Sequence, residues 1–86
     1  MKFQVEINKQ ILKILKKTRK DNAKRILDAI EKLEAPFSRP YEKLKGYSDV
    51  YRIRVGDYRI IYYVDKKGKI VLVLRVDLRK RVYKGL

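Results

Sequence analysis

Apolar and polar residues alternate at the start of the chain, Phe3, Val5 and Ile7 against Lys2, Gln4 and Glu6, with the period of a half-buried strand. From Asn8 the period becomes helical. Ile11, Leu12, Ile14 and Leu15 form an apolar stripe with lysines behind it, and the Asn8 side chain can cap the first turn. Ala23, Ile26, Leu27, Ile30 and Leu33 keep the same spacing as far as Pro36, with Asp21 or Asn22 placed to cap this second helix. The pattern predicts a helical hairpin laid on a sheet. The stretch APFSRPYEKLKGYSD, with both prolines and a glycine, reads as a loop dividing the helical half from a strand half.

The strand half alternates again. Taking Gly56-Asp57 as a two-residue hairpin turn pairs Val55 with Tyr58, Arg54 with Arg59, Ile53 with Ile60 and Arg52 with Ile61. Tyr51, Ile53, Val55, Tyr58, Ile60 and Tyr62 then share a face that the helices can bury, and Tyr58 and Tyr62 read as core. The next turn, DKKG, suits a type I turn with Gly68 left-handed. It would oppose Asp65 to Lys69, Val64 to Ile70, Tyr62 to Leu72 and Ile60 to Leu74. On the other face it would set Tyr63 against Val71, Ile61 against Val73 and Arg59 against Arg75. The expected architecture is α+β: a strand, a two-helix hairpin and a three-stranded antiparallel meander, with the helices on one face of the sheet. At 86 residues the whole chain, 1–86, reads as a single domain.

That register leaves Arg52, Arg54, Arg59 and Arg75 together on the face away from the helices. Like charges directly opposite in a sheet are destabilising by about 0.2–1 kcal/mol per pair. A solvated face partly neutralised by Asp57 or Asp77 is the plain alternative. The apolar neighbours of these arginines point instead to a face that something anionic covers.

Composition sharpens this. Lys and Arg total 24 against 10 Asp and Glu, a formal charge of +14, which draws polyanions toward the surface. The chain has no Cys and no His, which excludes zinc fingers, thiol nucleophiles, disulfides and imidazole bases. No cofactor or metal is expected. No stretch is apolar enough for a signal peptide or a membrane span, so no membrane partner is expected and a cytoplasmic protein is the simplest reading.

KLKG, VYRIRVGDYRIIYYVD and the closing LRKRVYK, in the order strand, two helices and three strands, resemble the RelE/ParE toxin superfamily of bacterial and archaeal toxin–antitoxin systems. The similarity spans essentially the whole chain. RelE-branch members are ribosome-dependent endoribonucleases (mRNA interferases) that cut messenger RNA in the decoding site; ParE-branch members poison DNA gyrase. The RelE resemblance implies catalytic roles for Arg59, Arg79 and Tyr83, and phosphate or substrate placement by Arg52 and Arg54. Arg75, Arg81, Lys43 and Lys45 are further candidates for substrate and phosphate binding. It also implies a RelB-like antitoxin, the ribosome and mRNA as partners. Where RelE-like chains commonly carry Gly-His-Arg, this one has Asp77, Leu78 and Arg79.

Fixed cations aimed at a phosphate supply what RNA cleavage by its own 2′-hydroxyl most needs, stabilisation of the charge on pentacovalent phosphorus. Arg59 and Arg79 suit that role. Tyr83, in a positive field that favours its phenolate, suits base or base-positioning work. Two other classes stay open at this level: a ParE-type gyrase inhibitor, and a basic nucleic-acid-binding module without catalysis, marked by steep salt dependence.

Overall fold

The structure, a computed structural model, describes residues 2–78. Strand β1 (Gln4–Glu6) leads into helices α1 (Lys9–Lys17) and α2 (Lys20–Glu31), and a 3-10 turn follows at Lys32–Glu34. Then come β2 (Glu42–Lys43), β3 (Val50–Val55), β4 (Tyr58–Asp65) and β5 (Ile70–Leu78). One mixed sheet has the order β1-β5-β4-β3-β2. Only β1 runs parallel to its neighbour, β5; the other pairs are antiparallel. The short β2 lies in the segment expected to be loop, held by pairing of Glu42 with Arg52 and Lys43 with Tyr51.

Asn8 caps α1 as its position predicts, its side-chain oxygen accepting from the Ile11 amide at 3.0 Å. Lys16 and Lys17 end the helix where cations suit its dipole. The second cap differs from expectation: α2 begins at Lys20 with Arg19 at the N-cap and no side-chain cap bond. Asp21 instead accepts from the Asn22 amide, inside the first turn, at 2.9 Å. The apolar stripes are also narrower than the sequence implies. Ile11 and Leu15 of α1, and Ile26 and Ile30 of α2, are buried, whereas Leu12, Ile14 and Leu27 remain exposed.

These helices pack on one face of the sheet, against Ile53, Ile60, Tyr62, Val71 and Val73. The first hairpin has the expected register throughout. Gly56 takes φ +59° in its turn, which a side chain would strain.

The second hairpin is shifted, which corrects the expected pairing. Its turn holds four residues, Lys66 to Lys69, so that Asp65 faces Ile70, Val64 faces Val71 and Tyr62 faces Val73. The cause is the Asp65 carboxylate, which accepts from the Lys67 and Gly68 amides at 3.1 and 3.0 Å. The left-handed residue is Lys69 (φ +55°), not Gly68. A Cβ on Gly68 would come within 2.7 Å of that carboxylate, so a side chain there would displace Asp65 from its place in the turn. Val71 and Val73 therefore lie in the core and Leu72 and Leu74 outside, the reverse of the expected faces. A bulge between Ile61 and Tyr62 then absorbs Leu74 as an extra residue, and pairing resumes with Ile61 to Arg75, Ile60 to Val76 and Arg59 to Asp77.

Tyr62 closes the core beneath the loop. Its ring is fully buried and its hydroxyl donates to the Pro36 carbonyl at 2.9 Å. Burial, and then neighbouring Tyr41 and Tyr51, push its pKa up to about 12. Tyr62→Phe is expected to cost about 1–2 kcal/mol by leaving that carbonyl unpaired, measurable by urea denaturation. An unfolded tyrosine ionises near pH 10. Between about pH 10 and about 12 the unfolded state thus gives up a proton that folded Tyr62 keeps, and stability falls as pH rises. The variant should lose stability more gently across that window than the wild type.

Candidate nucleic-acid interface

The antiparallel register sets the geometry of the face away from the helices. One cross-strand row runs Glu42, Arg52, Ile61, Arg75; the next runs Arg54, Arg59, Asp77. Four predicted arginines, Arg52, Arg54, Arg59 and Arg75, thus share one face, set there by strand parity. The expected contact of Arg59 with Arg75 is replaced by Arg59 beside Asp77, because the longer turn and the bulge each advance β5 by a residue. Tyr63, Leu72 and Leu74 add exposed apolar surface next to the basic rows.

Two of the four cations have anionic partners at the rim. Arg52 Nη2 lies 3.0 Å from Glu42 Oε2, and Arg75 Nη2 lies 3.0 Å from Asp77 Oδ1. Arg54 and Arg59 have no carboxylate within ion-pair distance among the described residues. The Nε atoms of Arg52 and Arg59 are buried without a hydrogen-bond acceptor. A buried donor left unpaired costs about 1–3 kcal/mol, which an acceptor bound at this face would offset.

Two clefts flank the rows. A hollow of ≈ 320 Å³ lies between β3 and the preceding loop, lined by Arg39, Tyr41, Glu42, Arg52 and Arg54. Arg39 is anchored there by donating from Nη2 to the Arg54 carbonyl at 3.0 Å. A larger cleft of ≈ 720 Å³ opens where β5 runs beyond its pairing with β1, between Arg59, Arg75 and Asp77 on the sheet and Lys17, Thr18 and Arg19 at the helical turn. Anions entering it would meet cations from three elements.

The other predicted positions divide. Lys43 is exposed but opposite Tyr51, on the helix side of the sheet and away from the arginine rows. Lys45 is exposed in the loop after β2. Arg79, Arg81 and Tyr83 lie outside the described residues. Sequence reasoning missed Arg39, Lys17 and Arg19, whose segments carry no strand alternation; Asp77, expected as a possible counter-ion of the arginines, pairs with Arg75. Among the described residues no group of three or more His, Cys, Asp or Glu is arranged to hold a metal ion, and no helix is long and apolar enough to cross a membrane.

A family model for the ParE toxin of the parDE type II toxin–antitoxin system matches residues 2–83. RelE1 from Methanocaldococcus jannaschii is 36% identical over 89 residues, an alignment covering 99% of each protein. The archaeal RelE–RelB complex from Pyrococcus horikoshii OT3 contains a chain of the same fold (TM-score 0.81, 38% identity, 94% of this chain and 99% of that one). A RelB–RelE complex from Methanococcus jannaschii also matches (TM-score 0.69, 33% identity, 93% of this chain and 96% of that one). Identity above one third, sustained over almost the full length on the same frame of helices and strands, makes this chain a member of the RelE/ParE toxin family of toxin–antitoxin systems.

Proposed function

We propose that the chain is a RelE-type toxin that acts as a ribosome-dependent endoribonuclease, cutting messenger RNA in the decoding (A) site by attack of a 2′-hydroxyl on the adjacent phosphodiester. The observation that carries this reading is the uncompensated pair Arg54 and Arg59, at the centre of a basic face on which the buried Nε of Arg59 lacks an acceptor. A phosphate oxygen supplies that acceptor and the missing negative charge together. Arg59 and Arg79 stabilise the charge that grows on phosphorus, Arg52 and Arg54 place the substrate, and Arg75, Arg81 and Lys45 hold flanking phosphates. Lys43 meets only RNA that wraps around the β2 edge. Tyr83 orients or activates the attacking group.

The natural restraint on such a face is a RelB-like antitoxin. A segment bearing carboxylates beside apolar residues would satisfy Arg54 and Arg59 and cover Ile61, Tyr63 and Leu72 at once. Ribosomes and mRNA set the site of action in the cytoplasm.

Primer extension on a defined mRNA in a reconstituted translation reaction tests the reading. Cuts within the A-site codon, seen only with ribosomes and weakened by Arg79→Ala and Tyr83→Phe, are the expected result. The ParE match over residues 2–83 favours one second reading, a gyrase poison with no chemistry of its own. Intact mRNA together with blocked DNA supercoiling by gyrase would overturn the ribonuclease in its favour.

A further inference from the structure

We propose that Asp77 is the proton acceptor for the attacking 2′-hydroxyl, which leaves Tyr83 the orienting role; the inference rests on the ribonuclease reading. With no histidine or cysteine in the chain, proton acceptance falls to a carboxylate, a tyrosine or a lysine. The fold puts a carboxylate in the middle of the phosphate-binding cations. Asp77 stands directly across from Arg59 in the row Arg54–Arg59–Asp77, lines the same ≈ 720 Å³ cleft as Arg59 and Arg75, and keeps its side chain 26% exposed. The oxygen that contacts Arg75 at 3.0 Å fixes the orientation of the carboxylate, and a carboxylate has further lone pairs to offer a hydroxyl. Among the described residues, the charged and titratable groups around it are Arg59 and Tyr58 from β4, Arg75 from β5, and Lys17 and Arg19 from the helical turn.

Neighbouring strands lie about 4.8 Å apart, so Arg59 and Asp77 can reach adjoining atoms of one nucleotide. A phosphate held by Arg59 and Arg75 brings the preceding ribose toward Asp77. The carboxylate takes the 2′-hydroxyl proton as the O2′–P bond forms and the P–O5′ bond breaks. The departing 5′-oxygen takes a proton from solvent, leaving a 2′,3′-cyclic phosphate and a 5′-hydroxyl. An acid in this row also repels the substrate phosphate, so the two roles open to Asp77, base or simple counter-ion, predict opposite results.

The experiment is single-turnover cleavage of ribosome-bound mRNA by the full chain and its Asp77→Asn, Asp77→Glu and Asp77→Ala variants, with thermal melting of each as the check on folding. Asp77→Asn should lower the cleavage rate about 100-fold or more without weakening binding to the programmed ribosome, and Asp77→Glu should recover part of the rate. Formate added to Asp77→Ala should restore cleavage about tenfold or more, which a purely structural role would not allow. Cleavage by Asp77→Asn at or above the wild-type rate would overturn the inference and make Asp77 a restraining counter-ion, while the ribonuclease reading stands. Absence of cleavage by the wild type would overturn both.

Discussion

Arg59→Gln is expected to lower ribosome-dependent cleavage by about 100- to 1,000-fold, the usual cost of removing one fixed donor from a developing oxyanion, while the melting temperature stays the same or rises. The two effects have one origin. Arg59 sits directly opposite Arg54, a like-charge pair that costs about 0.2–1 kcal/mol. Its buried Nε also lacks an acceptor, a further cost of about 1–3 kcal/mol. Attraction to Asp77 across the strand offsets part of this. Glutamine keeps much of the aliphatic stem and removes the charge, so a gain of about 1 kcal/mol, or about 4–8 °C in a domain of this size, is within reach. Single-turnover kinetics and calorimetry on the same samples decide it. Parallel loss of activity and stability would mean that Arg59 serves the fold and that the anion belongs elsewhere.

The frame for that site was largely legible in the chain. Asn8 ahead of the first apolar stripe marked α1, and Gly56-Asp57 between two alternating runs fixed the first hairpin, pair for pair. Parity in that hairpin was enough to set Arg52, Arg54 and Arg59 on one face. It failed in β5 for a physical reason. Ile70 to Leu74 are apolar at every position, so periodicity cannot choose a face, and the choice passes to the length of the preceding turn. That length depends on whether Asp65 hydrogen-bonds ahead to two amides, which composition does not reveal. Arg75 still reaches the basic face, but by two departures that cancel: the longer turn shifts the register by one residue and the bulge at Leu74 shifts it by one more. The parallel pairing of β1 with β5 and the two-residue β2 are set by tertiary contacts and leave no periodic trace. Arg39, Lys17 and Arg19 join the site from a loop and a helical turn, where linear spacing carries no information about direction.

That register makes the second large effect a test between neighbours. Val73→Asp is expected to unfold the protein, and Leu74→Asp to leave it folded within about 1 kcal/mol. Val73 is fully buried opposite Tyr62, whereas Leu74 is 38% exposed at the bulge. A carboxylate at residue 73 would sit among Ile11, Ile60 and Tyr62 with no cation beside it in the core. Unpaired burial of a charge belongs to the small class of substitutions that cost more than about 4–5 kcal/mol, much of the about 5–15 kcal/mol that holds a domain together. At residue 74 the same carboxylate faces water beside Arg75, where an added anion is tolerated or slightly favourable. Far-UV circular dichroism and urea melts of the two variants read the difference directly. The three-residue turn expected from DKKG would reverse the outcome, burying Leu74 and exposing Val73. A stable Val73→Asp with a collapsed Leu74→Asp would therefore overturn the four-residue turn. With it would go the placement of Asp77 beside Arg59, which needs the one-residue shift of the turn and the further one-residue shift of the bulge together.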